Sequence, residues 1–163
     1  MIVIQMFVIC SLLVLKKHLD NDHKPRVEKT EVKLPGFKFY NLDSSTFSNN
    51  DIKKDKNVYL LYFDPDCDYC ENEVSLILQN ITKFSNTEIL MISSGNLNSL
   101  KAMYSKFQIS KLGSVHILWD KEGQFQNLFG KSIIPSSLIY GPNHILLKQY
   151  QGLVQISAIT KWL

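Results

Sequence analysis

The sequence predicts an α/β protein with a mixed central β-sheet flanked by helices. Three observations carry this. Apolar runs rich in Val, Ile, Leu and aromatics alternate with amphipathic segments between residues 57 and 120, two further apolar runs are joined by Gly141-Pro142-Asn143, and the chain closes on a helix-patterned segment. Alternating strands and helices pair in parallel and a hairpin adds antiparallel strands, so the sheet is mixed. A chain of 163 residues supplies one such domain and some extra sequence.

The extra sequence comes first. Residues 1–15, MIVIQMFVICSLLVL, are almost wholly apolar and run directly into Lys16 and Lys17. As a helix they span about 22 Å, short of the roughly 30 Å of a bilayer core. They carry neither a basic leader nor a small-residue cleavage site, and Ile9 before Cys10 is too bulky for a lipoprotein site. An uncleaved signal anchor is the expectation and a buried N-terminal helix the alternative, although the two lysines argue by the positive-inside rule for the opposite orientation. Residues 16–33, KKHLDNDHKPRVEKTEVK, are charged and without apolar period, and read as a solvated tether. The globular domain is expected over residues 34–163.

Within it, GFKFYNLD (36–43) is a leading strand, the N-terminal extension of the sheet, and NVYLLYF (57–63) is a buried strand bounded by KKDK and DPD. After the DPDCDY loop, Val74, Ile77, Leu78, Ile81 and Phe84 recur at helical spacing, so a helix begins near Cys70. EILMIS (88–93) is a second buried strand, and LNSLKAMYSKF (97–107) an amphipathic helix capped by Asn96. SVHILWD (114–120), SSLIYG (136–141) and HILLKQY (144–150) are strands, and QISAITKWL is a closing helix.

Lysine and arginine total 18 against 15 acids, a net charge of +3, with the signs interleaved and the single arginine, Arg26, in the tether. Nucleic acid is therefore not an expected partner. Three cysteines are too few for a disulfide scaffold; Cys67 and Cys70 go together and Cys10 is the spare. The pair reads as a redox couple, half of a metal site, or two incidental thiols. A zinc site needs four ligands, and His116 and His144 lie far apart in strands, so no metal or other cofactor is expected.

LPGFKFYNLDSSTFSNNDIKKDKNVYLLYFDPDCDYCENEV resembles the opening of the TlpA-like and ResA-like branch of the thioredoxin superfamily: a proline and phenylalanine lead, a core strand, then C-x-x-C-x-x-E. FGKSIIPSSLIYGPNHILLKQYQG is similar to the later half of that family, in which a cis-proline loop enters a strand hairpin. The resemblance covers about residues 34–163 and implies a thioredoxin-like fold and a membrane-anchored thiol:disulfide oxidoreductase. It implies that Glu73 lies beside the cysteines and helps move their protons, and that Pro135 is cis and faces them. It also implies that the backbone of Ile134 pairs with a substrate segment. Asp66 stands where the family commonly has tryptophan, and Tyr69 where proline is frequent, which bears on the redox potential and on the partner surface that Asp68, Tyr69 and Ile134 form.

Disulfide exchange needs an accessible thiolate and a second thiol that resolves the mixed disulfide. Cys67, before or at the first helical turn, has the unpaired amides and dipole of the helix N-terminus and is the expected nucleophile. Cys70, one turn on and more buried, is the expected resolving thiol. Asp64, Asp66 and Asp68 work against the dipole, which makes the pair a reductant more than an oxidant. Expected partners are cysteine pairs in other proteins outside the cytoplasm, at the periplasmic face of the inner membrane, and the resemblance implies apocytochrome maturation or thiol maintenance as the setting. A membrane thiol reductase would supply the electrons, because that space is oxidising. Two alternatives compete. A thiol peroxidase of the peroxiredoxin type needs P-x-x-x-T/S-x-x-C and an arginine, but the positions counted from Pro65 hold Tyr69 and Asn72, and the domain has no arginine. A non-catalytic binding module would keep the fold with a passive disulfide.

Overall fold

The computed structural model describes residues 31–163. The expected anchor and nearly all of the tether lie outside the described residues. Among the described residues no helix is long and apolar enough to cross a membrane.

Seven strands form one sheet, β1 (Lys38–Tyr40), β2 (Thr46–Ser48), β3 (Asn57–Tyr62), β4 (Thr87–Ser93), β5 (Val115–Trp119), β6 (Ser136–Tyr140) and β7 (Leu146–Gln151), in the order β2-β1-β5-β4-β3-β6-β7. Strands β3, β4 and β5 are parallel; β6 and β7 add antiparallel beyond β3, and β1 and β2 antiparallel beyond β5. The helices are α1 (Asp68–Gln79), α2 (Leu97–Lys106), α3 (Phe125–Phe129) and α4 (Ile156–Thr160). This is the mixed, helix-flanked sheet that the alternation of elements predicts.

Strand β3 is buried along its whole length, as a central strand covered on both faces must be. Its side chains alternate between two layers. Tyr59, Leu61 and Phe63 pack with Val74 and Ile77 of α1, Leu100 and Met103 of α2, and Ile159 of α4. Val58, Leu60 and Tyr62 pack with Phe37, Phe39 and Phe47 of the N-terminal segment and Phe125 of α3. The helices are unevenly shared because β3, β4 and β5 step across the sheet in one direction. Right-handed crossovers then put α1 and α2 on the same face.

Several boundaries differ from the sequence reading. The helix after the cysteines begins at Asp68, with Cys67 as its N-cap, and stops at Gln79. Asn80 turns the chain into a 3₁₀ turn, Ile81–Phe84, its Nδ2 donating to the Leu76 carbonyl at 2.9 Å, so Phe84 reaches the core from that turn. The leading strand is only three residues and is followed by β2, in which the single apolar residue, Phe47, faces Phe39. The last strand starts at Leu146, because His144 is a turn residue with φ of 59° whose N–H bonds to the Gly141 carbonyl. Helix α3 is new: buried Asp120 accepts the Gln124 and Phe125 N–H groups at 2.9 Å each and so starts a helix too short to show a period.

Candidate functional site

The cysteine loop is built by a turn. Asp64 Oδ1 accepts the Asp66 N–H at 2.9 Å and the Asp64 carbonyl accepts the Cys67 N–H at 3.3 Å, while Pro65 fixes the backbone between them. Cys67 is extended, with φ of −107° and ψ of 119°, and its carbonyl accepts the Glu71 N–H at 3.0 Å, the first bond of α1. The Cys67 thiol is half-buried and Cys70 is fully buried; both are free thiols. Burial pushes the Cys70 thiol up to about 12; a backbone hydrogen bond at Asp64 opposes this and the neighbouring Cys67 adds to it.

Across the sheet edge, Tyr62 at the end of β3 lies opposite Ser136 at the start of β6. The loop leaving β3 and the loop entering β6 therefore emerge at the same end of the sheet. The second of these carries the cis Ile134–Pro135 peptide bond, with Pro135 buried and its carbonyl accepting the Gly152 N–H at 2.7 Å. Around the two loops the surface is apolar and acidic: Tyr69 is 70% exposed, Ile133 59% and Ile134 40%, and Asp66 and Asp68 are also exposed. Glu71, half-exposed, is held by Lys106 of α2 at 2.5 Å.

Glu73 is fully buried. Three residues beyond Cys70 in α1, it shares that face of the helix. Its Oε1 accepts from Tyr59 Oη of β3 and Ser137 Oγ of β6, each at 3.2 Å, and the two hydroxyls bond each other at 2.7 Å. Its Oε2 is buried without a partner. Burial pushes the Glu73 carboxyl up to about 7, against the pull of the Ser137 and Tyr59 hydrogen bonds. Glu73 is thus not a helix-surface acid; Glu71, half-exposed and paired with Lys106, is.

Sequence reasoning did not single out Tyr59, Ser137 or Gly95. The first two sit among apolar strand residues, and only the diagonal register of β3 against β6 brings their hydroxyls together. Gly95 is recognisable as a loop glycine, but its reason lies in three dimensions: a Cβ there would stand 2.7 Å from Pro65 Cδ, so only glycine lets the loop after β4 press on the cysteine loop. His116, expected half-buried in a strand, is so placed, bonded at 3.0 Å to buried Glu88, whereas His144 lies in a turn. Among the described residues no group of three or more His, Cys, Asp or Glu is placed to hold a metal ion.

A mixed sheet with a C-x-x-C pair at a strand-to-helix junction and a cis-proline loop beside it is the thioredoxin-like fold. The AhpC/TSA family model matches residues 30–149, and the chain belongs to that family. Among solved structures, a secreted Mycobacterium tuberculosis disulfide oxidoreductase homologous to E. coli DsbE is 14% identical with a TM-score of 0.65, over 77% of this chain and 92% of that one. A putative thiol:disulfide interchange protein DsbE from Chlorobium tepidum is 20% identical with a TM-score of 0.64, over 81% and 93%. A thiol peroxidase from Chromobacterium violaceum is 10% identical with a TM-score of 0.66, over 80% and 82%. No curated protein is significantly similar to the chain.

Proposed function

We propose that the protein is a thiol:disulfide oxidoreductase that reduces cysteine pairs in other proteins outside the cytoplasm. The observation that carries this is the asymmetry of the pair: a half-buried Cys67 at the mouth of α1 and a buried Cys70 one helical turn before a buried acid. Cys67 attacks a partner disulfide, forming a Cys67–partner bond while the other partner sulfur leaves as a thiolate and takes a proton from water. Cys70 then gives its proton to Glu73 and attacks Cys67; the Cys67–Cys70 bond forms and the second partner thiol departs. The partner gains two electrons and the pair loses two. Ile134 would offer backbone to the partner segment beside Pro135, with Asp68 and Tyr69 on the facing loop.

The direction follows from the resolving thiol. A disulfide is strongly oxidising when its reduced form is stabilised, as in DsbA. Here the Cys70 thiolate is disfavoured by burial and acids ring the loop, so the dithiol gives up its electrons readily. An N-terminal anchor, residues 1–15, and a tether, residues 16–33, would hold the domain at the periplasmic face of the inner membrane, where a membrane thiol reductase returns the electrons. Apocytochromes are a fitting substrate class. The presence of secreted and DsbE-type proteins among the structural relatives supports this placement.

The test is the division of labour. Cys67→Ser abolishes exchange with a protein disulfide, whereas Cys70→Ser accumulates mixed disulfides through Cys67. Normal turnover by Cys70→Ser would overturn the assignment. A membrane-impermeant thiol label should reach Cys67 in intact cells after mild reduction, and protection until lysis would refute the extracytoplasmic placement.

A further inference from the structure

Three buried oxygens meet under the cysteine helix, one each from β3, β6 and α1. Tyr59, Ser137 and Glu73 are all 0% exposed. Tyr59 Oη and Ser137 Oγ stand 2.7 Å apart, and each lies 3.2 Å from the same carboxyl oxygen, Glu73 Oε1. The other carboxyl oxygen, Oε2, is buried and bonded to nothing. Two hydroxyls on one oxygen and none on its twin is an unusual way to keep a structural acid, because a buried polar atom without a partner is costly. It is a suitable way to keep an acid that must change its protonation state.

We propose that Tyr59 and Ser137 are positioning residues for the exchange reaction: together they hold Glu73 Oε1 and leave Oε2 as the oxygen that takes and returns the Cys70 proton. A hydroxyl donates one proton and accepts others, so either member of the pair can donate to Oε1 while bonded to its neighbour. Whichever hydroxyl donates to Oε1 favours the ionised acid, since hydrogen bonds to a charged group are stronger than those to a neutral one, and the other holds that donor in place. Burial alone would keep Glu73 protonated, and a protonated acid receives nothing from Cys70. The two hydroxyls bring it back to the point where it loses and regains a proton near neutral pH, in agreement with a carboxyl at about 7. No ion pair is made with Glu73 among the described residues. The titratable group that bonds it is Tyr59 from β3, with the uncharged Ser137 from β6; Cys70 stands one helical turn before it on its own helix.

This inference rests on the exchange reaction proposed above, and the experiment reads the two separately. In the full chain, the infrared band of the protonated Glu73 carboxyl, assigned by its loss in Glu73→Gln, is followed against pH alongside the rate of exchange with a protein disulfide. In the parent protein the band disappears with a midpoint near neutral pH. Tyr59→Phe and Ser137→Ala should each raise that midpoint by about one pH unit, and the double variant should raise it further. The low-pH limb of the exchange rate should move by the same amount. Ser137→Thr keeps the hydroxyl and should restore the parental midpoint. An unmoved midpoint in both single variants overturns the inference, as does a midpoint that moves while the rate profile stays in place. Absence of exchange in the parent protein would instead refute the proposed function, and the carboxyl titration would still report whether the two hydroxyls control Glu73.

Discussion

Glu73 distinguishes this site from a helix that simply begins with two cysteines. Glu73 is a carboxyl sealed in the core, one helical turn past Cys70, and in the proposed exchange its charge opposes the Cys70 thiolate. Neutralising it should make the Cys70 thiol more acidic. Removing it should also slow the resolving step of the proposed exchange, in which Cys70, held up to about 12 by burial, loses a proton before it attacks. Glu73→Gln is therefore expected to shift the thiol titration, read by thiolate absorbance, downward by about one pH unit and to exchange more slowly near neutral pH. Superimposable titrations with equal rates would reduce Glu73 to a packing residue.

At the scale of elements, the site is a meeting of loops held at one end of the sheet, and their spacing depends on Gly95. The loop between β4 and α2 lies so close to Pro65 that a methyl group at Gly95 would also stand 3.1 Å from Pro65 Cγ and Ser93 Oγ. Gly95→Ala should displace the cysteine loop, costing about 1–3 kcal/mol in chemical denaturation and lowering the exchange rate with it. Unchanged stability and rate would mean that the loop yields freely.

Much at this scale was legible in the sequence. The strand-to-helix position of Cys67 and Cys70 followed from NVYLLYF and the helical spacing of Val74 and Ile77, both strong local signals. The cis bond at Pro135 came only from resemblance to a family. The hydroxyls on Glu73 were not legible, because Tyr59 and Ser137 are 78 residues apart and meet only through the pairing of β3 with β6. Strand β2 and helix α3, of three and five residues, are too short for the periods that announce such elements to repeat.

For the whole molecule, the buried acid ties stability to pH. The Glu73 carboxyl rises from 4.5 to about 7 on folding, so the folded state holds its proton more tightly than the unfolded one. The associated stability is fully present below pH 4.5 and is lost as pH rises to about 7, a loss of about 3 kcal/mol at most. Glu73→Gln carries no such term. It should unfold at nearly the same denaturant concentration as the parent at pH 4.5 and at a higher one at pH 8, and parallel pH profiles would contradict the buried, titrating acid.

The central claim is that Cys67 and Cys70 form one reversible two-electron couple that acts as a reductant. Equilibrating the full chain in graded thiol–disulfide buffers, trapping the free thiols and measuring the oxidised fraction tests it most directly. The account predicts a single two-electron transition in which both cysteines are lost together, at a potential nearer the roughly −270 mV of thioredoxin than the roughly −120 mV of DsbA. A couple as oxidising as DsbA, or thiols that never join to each other, would contradict it.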